Sequence, residues 1–246
     1  MNIIGDLHTH TLVSGHAYGT VRENALAASE KGLKILGITE HAPGITGTCS
    51  DFYFRNLAAL PGELYGVKMF YGSEINILND GTLSLSEENI RNLDYAIAGM
   101  HTLCYENVGA EKNTDNMISC IKHDKVKIIS HPDDDHTPLD YDRLVPAAGE
   151  YGVALEVNNS SLIKWEKRWN CFENYHKMLK LCMKYRVPVV VDSDAHDPFF
   201  VGEFRRAIEL LEKEQFDESL ILNTSTEKIA AFFDLDLTRV LPRMGV

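Results

Sequence analysis

Short, dense apolar runs alternate with amphipathic stretches along almost the whole chain. The runs over residues 33–40, 67–74 and 188–192 contain few polar positions, which is typical of parallel strands that are covered on both faces. The stretches between the runs place apolar residues at helical spacing. This alternation predicts an α/β protein in which helices connect parallel strands.

The pattern predicts seven strands, each followed by a polar loop or a helix. These strands cover residues 3–8, 33–40, 67–74, 94–101, 126–131, 153–158 and 188–192. Helices are predicted to begin at residues 20 and 224 and to cover 51–64, 113–124, 140–151 and 171–186.

Turn and capping signals fix some of these boundaries. Thr20-Val21-Arg22-Glu23 and Thr224-Ser225-Thr226-Glu227 both have the form of a helix capping box. Asn79-Asp80-Gly81 is a strong turn signal between two short runs. We therefore expect residues 75–85 to form an excursion from the main sheet.

Histidines and carboxylates recur at the carboxyl ends of the apolar runs, and seven of the ten histidines belong to this set. A parallel α/β barrel brings its strand ends together at one face, where catalytic residues sit. The recurrence therefore favours a shared metal centre over scattered surface histidines. The nine candidate ligands are His8, His10, His16, His41, Glu74, His101, His131, Asp194 and His196.

The first strand carries the densest part of this pattern, Asp6-Leu7-His8-Thr9-His10. Alternate side chains of a strand share a face, so His8 and His10 are expected to project together. An isolated H-x-H is also typical of an exposed strand end. The repetition at later strand ends favours metal binding here.

Chain length and apolar content predict a single domain over residues 1–246. The 246 residues are 44% hydrophobic, enough for one core, and an α/β barrel typically takes about 250 residues. The count of seven strands is one fewer than in the common barrel. We therefore predict a distorted, seven-stranded (β/α)7 TIM-like barrel that is incompletely closed.

Composition limits the partners and the compartment. The net charge of -12 argues against a nonspecific nucleic-acid binder, because such binding depends on Lys and Arg. No apolar run reaches the roughly 18 residues of a membrane span, and no secretion signal is recognised. The five cysteines form no C-x-x-C pair, so reduced thiols and a cytoplasmic location are expected. The oligomeric state is left open.

The ligand motifs, read in order, resemble those of the polymerase and histidinol phosphatase (PHP) family. The matching segments are DLHTH, ITEH, GSEIN, AGMH, ISHP and DSDAH, while LEVNNSS and GEFRRAIELL resemble the YcdX-like phosphatase branch. The resemblance implies a distorted seven-stranded barrel, phosphoesterase activity and three divalent metal ions per chain. Zinc is favoured, with manganese and iron as alternatives.

The resemblance also divides the nine ligands among three ions, with Glu74 bridging the first and the second. Glu74, Asp194 and His196 are the predicted catalytic residues. The implied groups are His8, His10, Glu74 and Asp194 for the first ion, Glu74, His101 and His131 for the second, and His16, His41 and His196 for the third.

These residue types suit phosphate-ester hydrolysis. Two ions about 3.5–4 Å apart can share a water whose pKa falls toward neutrality, which gives a hydroxide for in-line attack on phosphorus. A third ion would stabilise charge on a phosphate oxygen. The sequence therefore predicts a phosphatase that cleaves small phosphomonoesters.

Three alternatives differ in substrate or in class. They are a histidinol-phosphate phosphatase, a phosphodiesterase or 3′–5′ exonuclease, and a metal-binding regulatory module without turnover. The net negative charge weighs against the nuclease. The absence of a closed four-cysteine site weighs against the module, because catalytic metal sites keep open positions.

One residue and two segments carry further predictions. Asp192 is expected to accept a hydrogen bond from the ring nitrogen of a ligand histidine that does not bind the metal. The acidic run Asp133-Asp134-Asp135-His136 is expected to be a solvated loop, with a role at the rim of the site open for His136. The segment 164–169, Lys-Trp-Glu-Lys-Arg-Trp, is either a cationic lid for a phosphorylated substrate or an ordinary surface loop.

Overall fold

Seven parallel strands form a nearly closed barrel in the computed structural model, which describes residues 1–243. The seven strands follow one another around the sheet in chain order, and an additional short strand, β3, pairs antiparallel with β4. The predicted barrel class is confirmed. The strands are β1 Gly5–Asp6, β2 Ile35–His41, β3 Glu63–Leu64, β4 Val67–Asn76, β5 Ala96–Gly99, β6 Val126–Ile129, β7 Ala154–Asn158 and β8 Val189–Asp192.

Helices connect the strands and cover the outside of the sheet. Among residues 1–243, no helix combines the length and the hydrophobicity that a membrane crossing requires. The α-helices are α1 Val21–Glu30, α2 Phe52–Arg55, α3 Glu87–Asn92, α4 Ala110–Ile121, α5 Tyr141–Tyr151, α6 Asn159–Ile163, α7 Cys171–Tyr185, α8 Arg205–Lys213 and α9 Thr226–Phe233.

The predicted helix over residues 51–64 is wrong. After α2 the chain makes one 3-10 turn and then enters β3, which pairs with the start of β4. Pro61 cannot continue a helical hydrogen-bond ladder. Tyr65 and Gly66 both have positive φ angles, 52° and 78°, as the tightest hairpin turns require. Local turn chemistry therefore overrides the helical periodicity.

The first capping box is confirmed, and the second is shifted by one residue. The Glu23 N–H donates to Thr20 Oγ1 at 3.2 Å, and the Thr20 N–H donates to Glu23 Oε2 at 2.8 Å. At α9 the cap is Ser225, whose hydroxyl accepts the Lys228 N–H at 3.3 Å. The predicted turn at residues 79–81 is confirmed by an antiparallel bridge between Ile77 and Leu83.

The amino-terminal end of the barrel is closed by α9. Ile229 and Phe233 are buried against the strands' inward side chains, and the Phe233 ring lies 5.1 Å from that of Tyr95 between ring centroids. A larger apolar cluster fills the space between the sheet and the outer helices. The carboxyl ends of the strands are thus left for the site.

Side chains, rather than a strand ladder, close the seam between β1 and β8. The only strand-type contact there, among residues 1–243, is one isolated bridge between Thr9 and Ala195. Asn223 spans the seam below it by donating to the carbonyls of Gly5 at 2.9 Å and Val191 at 2.5 Å. The prediction of an incompletely closed barrel is confirmed.

Candidate metal centre

All nine predicted ligands meet at the carboxyl ends of the strands. Seven of them come from strand ends or from the first residues after a strand, while His16 and His196 follow in the adjoining loops. His131 and Asp194 have positive φ angles, 30° and 50°, a conformation that non-glycine residues seldom adopt outside functional or turn positions. The backbone is therefore bent where these side chains enter the site.

Glu74 lies at the centre of the ligand set and is buried. Each of its two carboxylate oxygens faces a different group of imidazoles, which is the arrangement expected of a bridging ligand. Oε2 lies 3.0 Å from His41 Nδ1, 3.3 Å from His8 Nε2 and 3.5 Å from His10 Nε2, and Oε1 lies 2.9 Å from His131 Nε2 and 3.1 Å from His101 Nε2.

Asp194 forms a second focus beside Glu74. Its Oδ1 lies 3.3 Å from His10 Nε2 and 3.7 Å from His8 Nε2, and these two imidazole nitrogens are 3.0 Å apart. Farther out, His196 Nε2 lies 3.0 Å from His16 Nε2. The ligand atoms therefore form one continuous cluster rather than separate sites.

The cluster contains three groups whose ligand atoms all lie within 4.8 Å of one another. The first group agrees with the implied partition. The partition assigns His41 to the third ion alone, whereas in the structure His41 also groups with Glu74 and His101. Its position joins the second group to the third, and the assignment of ligands to three ions stays a prediction. The groups are His8 with His10 and Asp194, His41 with Glu74 and His101, and His10 with His41 and His196.

Five of the ligand imidazoles have Nδ1 next to a fixed acceptor. Each acceptor favours the tautomer in which Nδ1–H donates to it, so the Nε2 lone pair is left for a metal, the usual arrangement of ligand histidines. The pairs are His8 with Glu156 Oε1 at 2.7 Å, His10 with Ser14 Oγ at 3.1 Å, His16 with the Ser14 carbonyl at 2.9 Å, His101 with Asn76 Oδ1 at 2.8 Å, and His196 with the Asp194 carbonyl at 3.0 Å.

These contacts fit a cation at the centre. The Nδ1–H tautomer of His8, which Glu156 favours, turns the Nε2 lone pair toward the carboxylates of Glu74 and Asp194. Glu74 Oε2 and His41 Nδ1 are buried and form no hydrogen bond with the described residues. Unpaired acceptors at such distances repel one another unless a positive charge lies between them.

The electrostatics of the cluster favour the ligating protonation states of Glu74, Asp194 and His10. For His8 and His131, burial opposes protonation, but the neighbouring carboxylates raise the pKa. Burial alone would raise the carboxyl pKa values, but the charges of surrounding histidines, His101 and His8 first among them, hold the pKa of Glu74 well below its usual range. Asp194 is affected in the same direction, chiefly by His8 against burial, so its pKa is also low. Burial and the neighbouring His41 lower the pKa of His10. Ionised carboxylates and neutral imidazole are the forms that bind metals.

The sequence analysis missed the residues that hold the ligands from behind. Glu156 of β7 contacts His8 and also accepts the His131 N–H at 2.7 Å, so one buried carboxylate positions two ligand segments. Asn76 lies two residues after Glu74 on the same face of β4. Glu156 could have been found as the one charged residue within the apolar run of β7. Asn76 could have been found from the two-residue period of a strand, which places it on the same face as Glu74.

The role predicted for Asp192 is wrong. Its Oδ1 accepts the Leu7 N–H at 2.7 Å across the barrel seam, and it forms no hydrogen bond with a ligand histidine. Glu156 of β7 has that role instead, since its Oε1 lies 2.7 Å from His8 Nδ1. Burial raises the pKa of Asp192 well above its ordinary value, and the nearby Glu156 and Asp6 charges add to the effect.

The solvated-loop interpretation of the acidic run is wrong for its first residue. Asp133 is fully buried and accepts hydrogen bonds from Arg168 Nη1 at 3.0 Å and from the Cys171 thiol at 3.1 Å. A buried carboxylate needs such partners. His136 packs its ring 4.2 Å from that of Trp169 and does not line the cavities beside the metal cluster.

Two cavities adjoin the cluster on different sides. The first, of about 240 Å³, lies beside His101 and His131 and is lined by Arg168. The second, of about 340 Å³, lies beside Asp194 and His196 and is lined by Lys164. The cationic segment 164–169 therefore contributes one cation to each cavity, while Lys167 is exposed and lines neither.

Most of the chain matches a known protein family. The model of the PHP domain matches residues 6–185. The chain belongs to the PHP domain family. The resemblance predicted from the ligand motifs is thus confirmed, and the matched segment contains seven of the nine predicted ligands of this PHP-domain protein.

Relatives of this PHP-domain protein span nearly its whole length. It is 39% identical over 234 residues to a probable phosphatase of Thermoanaerobacter sp. (strain X514), covering 94% of this chain and 95% of the relative. A probable phosphatase of Acetivibrio thermocellus is 38% identical over 241 residues, with 98% and 99% covered.

Solved structures share the fold of the PHP-domain protein. The histidinol phosphate phosphatase of Lactococcus lactis, solved with zinc, L-histidinol and phosphate, has a TM-score of 0.63 and 17% identity, covering 87% of this chain and 94% of that one. A putative histidinol phosphatase of Listeria monocytogenes has a TM-score of 0.60 and 17% identity, with 81% and 97% covered.

Replacing Glu156 with Gln is expected to lower metal affinity about 10- to 100-fold, the usual cost of removing a carboxylate that orients a ligand histidine. The Gln amide has one acceptor oxygen in place of two, so it cannot accept hydrogen bonds from both the His8 Nδ1–H and the His131 N–H. Metal retained against a graded chelator series measures the effect. Glu150→Gln, an exposed change on α5, is the control, and equal metal retention in both variants would contradict the assigned role.

Proposed function

We propose that this PHP-domain protein is a metal-dependent phosphatase that cleaves small phosphomonoesters. The observation that carries the proposal is the position of Glu74, whose two oxygens face separate groups of histidines inside a nine-ligand cluster. The cluster opens on cavities of about 240 and 340 Å³, a size that suits a small substrate. The names of the near full-length relatives support the same activity.

Three bound ions are proposed. The donor set favours transition metals over magnesium or calcium, since seven of its nine members are imidazoles. Zinc is proposed first, with manganese and iron as alternatives. The first ion would be held by His8, His10, Glu74 and Asp194, the second by Glu74, His101 and His131, and the third by His16, His41 and His196. Bound ions of this kind supply a water of lowered pKa and positive charge for the phosphoryl oxygens.

The chain's own residues prepare this centre. Glu156, Ser14 and Asn76 fix the orientation of ligand rings, so little reorganisation remains when substrate binds. Glu74, Asp194 and His196 are the proposed catalytic residues. The proposal treats residues 1–246 as one phosphoesterase domain, and the unpaired state of all five cysteines accords with the proposed cytoplasmic location.

The test is hydrolysis of p-nitrophenyl phosphate by the purified protein, with bound metal counted in the same sample. Activity that rises with metal content to about three ions per chain, and that is lost in Asp194→Ala, is the expected result. Histidinol phosphate and single-stranded DNA in the same panel separate the alternative substrates. A fully metallated protein that hydrolyses no phosphoester would exclude the proposal and favour a regulatory module.

Arg168 and Lys167 are expected to differ in their effects on substrate binding. The Arg168 guanidinium is fixed by the buried Asp133 and lines the cavity beside His101 and His131, where it can pair with a phosphoryl oxygen. A charge-assisted hydrogen bond of this type contributes roughly 1.5–3 kcal/mol. We therefore expect Arg168→Ala to raise KM roughly 10- to 100-fold.

The matched change Lys167→Ala is expected to leave KM unchanged, because that side chain is exposed and lines neither cavity. Arg168→Lys should recover only part of the loss, since an ammonium cannot reproduce the planar fork of guanidinium. Steady-state kinetics with one aryl phosphate compare the three variants. Equal increases in KM for Lys167→Ala and Arg168→Ala would favour a general cationic lid instead.

A further inference from the structure

We propose that Glu40 is a positioning residue of the metal centre, which acts through the Ser14 hydroxyl to fix the proton of the His10 ring on Nδ1. The inference rests on the metal binding of the proposed function and names a residue that supports it. Glu40 is not one of the nine predicted ligands, and within residues 1–243 it belongs to none of the three groups of converging ligand atoms. The directions of the hydrogen bonds around Glu40 and Ser14 give it this indirect role.

The Glu40 carboxylate is buried, and it accepts its hydrogen bonds from the loop that follows β1. Oε2 accepts the Thr11 N–H at 3.1 Å and the Ser14 hydroxyl at 2.5 Å, and Oε1 accepts the Thr11 hydroxyl. Glu40 precedes the predicted ligand His41 in β2, and successive side chains of a strand point to opposite faces. The carboxylate therefore acts on the cluster through the loop that it holds.

The Ser14 hydroxyl is buried and has a partner for each of its hydrogen-bonding positions. Besides Glu40, the partners are the His41 backbone N–H, 3.0 Å from Ser14 Oγ, and His10 Nδ1, 3.1 Å from it. A hydroxyl has one proton and two lone pairs. The His41 N–H takes one lone pair, and the proton goes to Glu40 Oε2, which already accepts a backbone N–H. The second lone pair faces His10 Nδ1, which must carry a proton to form this hydrogen bond.

This pattern decides which nitrogen of His10 is free for a metal. With the proton on Nδ1, the free lone pair is on Nε2, which lies 3.3 Å from Asp194 Oδ1 and 3.0 Å from His8 Nε2 inside the cluster. The opposite tautomer would donate a proton from Nε2 to Asp194 and would turn the Nδ1 lone pair toward a lone pair of Ser14. Glu40 disfavours that tautomer because it keeps the Ser14 proton from turning toward His10.

Ser14 also supports two further predicted ligands. Its carbonyl oxygen lies 2.9 Å from His16 Nδ1, and its hydroxyl accepts the His41 backbone N–H. Glu156 contacts a different pair of predicted ligands. Glu40 and Ser14 therefore form a second support of the centre, which shares no predicted ligand with the support that Glu156 provides.

The first experiment compares the position of the His10 ring proton in the wild-type protein and in Glu40→Leu. Long-range proton–nitrogen NMR spectra of the metal-free protein, at one mildly alkaline pH, distinguish the two tautomers, and the His10 signals are identified by their loss in His10→Gln. In Glu40→Leu the Ser14 proton has lost its acceptor and can donate to His10 Nδ1. We therefore expect the share of the Nδ1–H tautomer to fall, and equal shares in the two proteins would overturn the inference.

Ser14→Ala tests the same step without changing Glu40, and it decides the question if Glu40→Leu does not fold. Removal of the hydroxyl takes away the acceptor of the His10 Nδ1–H, while Asp194 Oδ1 remains 3.3 Å from Nε2 and favours a proton there. A smaller share of the Nδ1–H tautomer than in the wild type is expected. An unchanged share would overturn the inference.

Glu40→Gln separates the hydrogen bond from the charge. Only Oε2 of Glu40 contacts Ser14, and it also accepts the Thr11 N–H, so the single oxygen of a Gln amide can keep both contacts. The amide NH2 then takes the place of Oε1 beside the Thr11 hydroxyl, which can accept from it. We expect the tautomer and the metal affinity of the wild type in Glu40→Gln. Equal effects of Glu40→Gln and Glu40→Leu would overturn the inference in favour of a charge effect.

The second experiment measures zinc retained by the loaded protein against a graded chelator series. Glu40→Leu and Ser14→Ala are expected to lower metal affinity about tenfold, the lower end of the usual cost of removing a residue that orients a ligand. Thr11→Val is the control, because it removes one hydrogen bond to Glu40 and the cap on the Val13 N–H but leaves the Ser14 hydroxyl in place. It should lower the free energy of unfolding without changing the tautomer or the metal affinity.

The outcomes distinguish this role from the proposed phosphatase. Phosphatase activity in the wild type, with the same His10 tautomer in Glu40→Leu, would leave the phosphatase intact and overturn the inference. A metal-loaded wild type without phosphatase activity, with the expected tautomer change in Glu40→Leu, would remove the phosphatase but support the positioning role. Equal loss of metal affinity in Thr11→Val and Glu40→Leu, with no change of tautomer, would assign to Glu40 only the anchoring of the loop and overturn the inference.

Discussion

Glu74→Gln is expected to abolish metal-dependent phosphatase activity, with a decrease of at least about 10³-fold. The carboxylate supplies an oxygen to each of two histidine groups within 2.9–3.5 Å, and it is the charge that a pair of adjacent cations would share. Metal ions contribute several kcal/mol of charge stabilisation in the transition state, and each 1.36 kcal/mol is a factor of ten in rate. Metal content and kcat/KM, measured on the same sample, check the result.

Glu74→Asp separates the effect of the Glu74 charge from the effect of its side-chain length, and Glu106→Gln is the control. Glu74→Asp keeps the charge but withdraws the oxygens from the imidazoles, so partial metal content with low activity is expected. Glu106→Gln changes an exposed carboxylate on the loop after His101 and should behave as the wild type. Full metal content and full activity in Glu74→Gln would contradict the bridging role.

Asn223→Ala is expected to reduce the free energy of unfolding by about 3–5 kcal/mol. The Asn223 side chain is fully buried, donates to the Gly5 and Val191 carbonyls, and accepts the Val191 N–H at 3.1 Å. Its removal leaves three backbone groups without partners, and each buried unsatisfied group costs about 1–3 kcal/mol. Since no strand ladder joins β1 to β8, backbone pairing between these strands does not supply new partners for the three groups.

Urea unfolding followed by circular dichroism measures this loss. Asn92→Ala, at the exposed end of α3, is the matched control and should change the unfolding free energy by no more than about 0.5 kcal/mol. Metal binding stabilises the folded state by mass action, so both variants are compared at the same metal concentration. A loss below about 1 kcal/mol for Asn223→Ala would indicate that the seam is held in another way.

The barrel could be predicted because each strand is recognisable from its own short segment of sequence. Runs such as residues 33–40 and 67–74 are apolar on both faces, as buried parallel strands require, and the polar residue that ends each run is visible without a structure. The capping box at Thr20 was equally local, since its partner Glu23 lies three residues away. The helix expected over residues 51–64 failed because the turn at Tyr65 and Gly66 outweighed periodicity.

The support of the site could not be predicted in the same way. His8 and Glu156 are 148 residues apart, and Arg168 and Asp133 are 35 apart, so no local pattern pairs them. Asp192 illustrates the difficulty, because strand parity gave it a role that the neighbouring strand fills through Glu156. Only the position of β7 between β6 and β8, which brings Glu156 to His8 Nδ1 and to the His131 N–H, decides which carboxylate meets which ring.

The sequence by itself determined the α/β class, the approximate positions of the seven strands and the set of nine candidate ligands, since periodicity and residue type are properties of short segments. The tertiary structure alone decided how the ligands group around Glu74, which side chains hold their rings, and how Asn223 closes the barrel. These features depend on distances between residues that are remote in the chain, and such distances are set only when the strands assemble into one sheet.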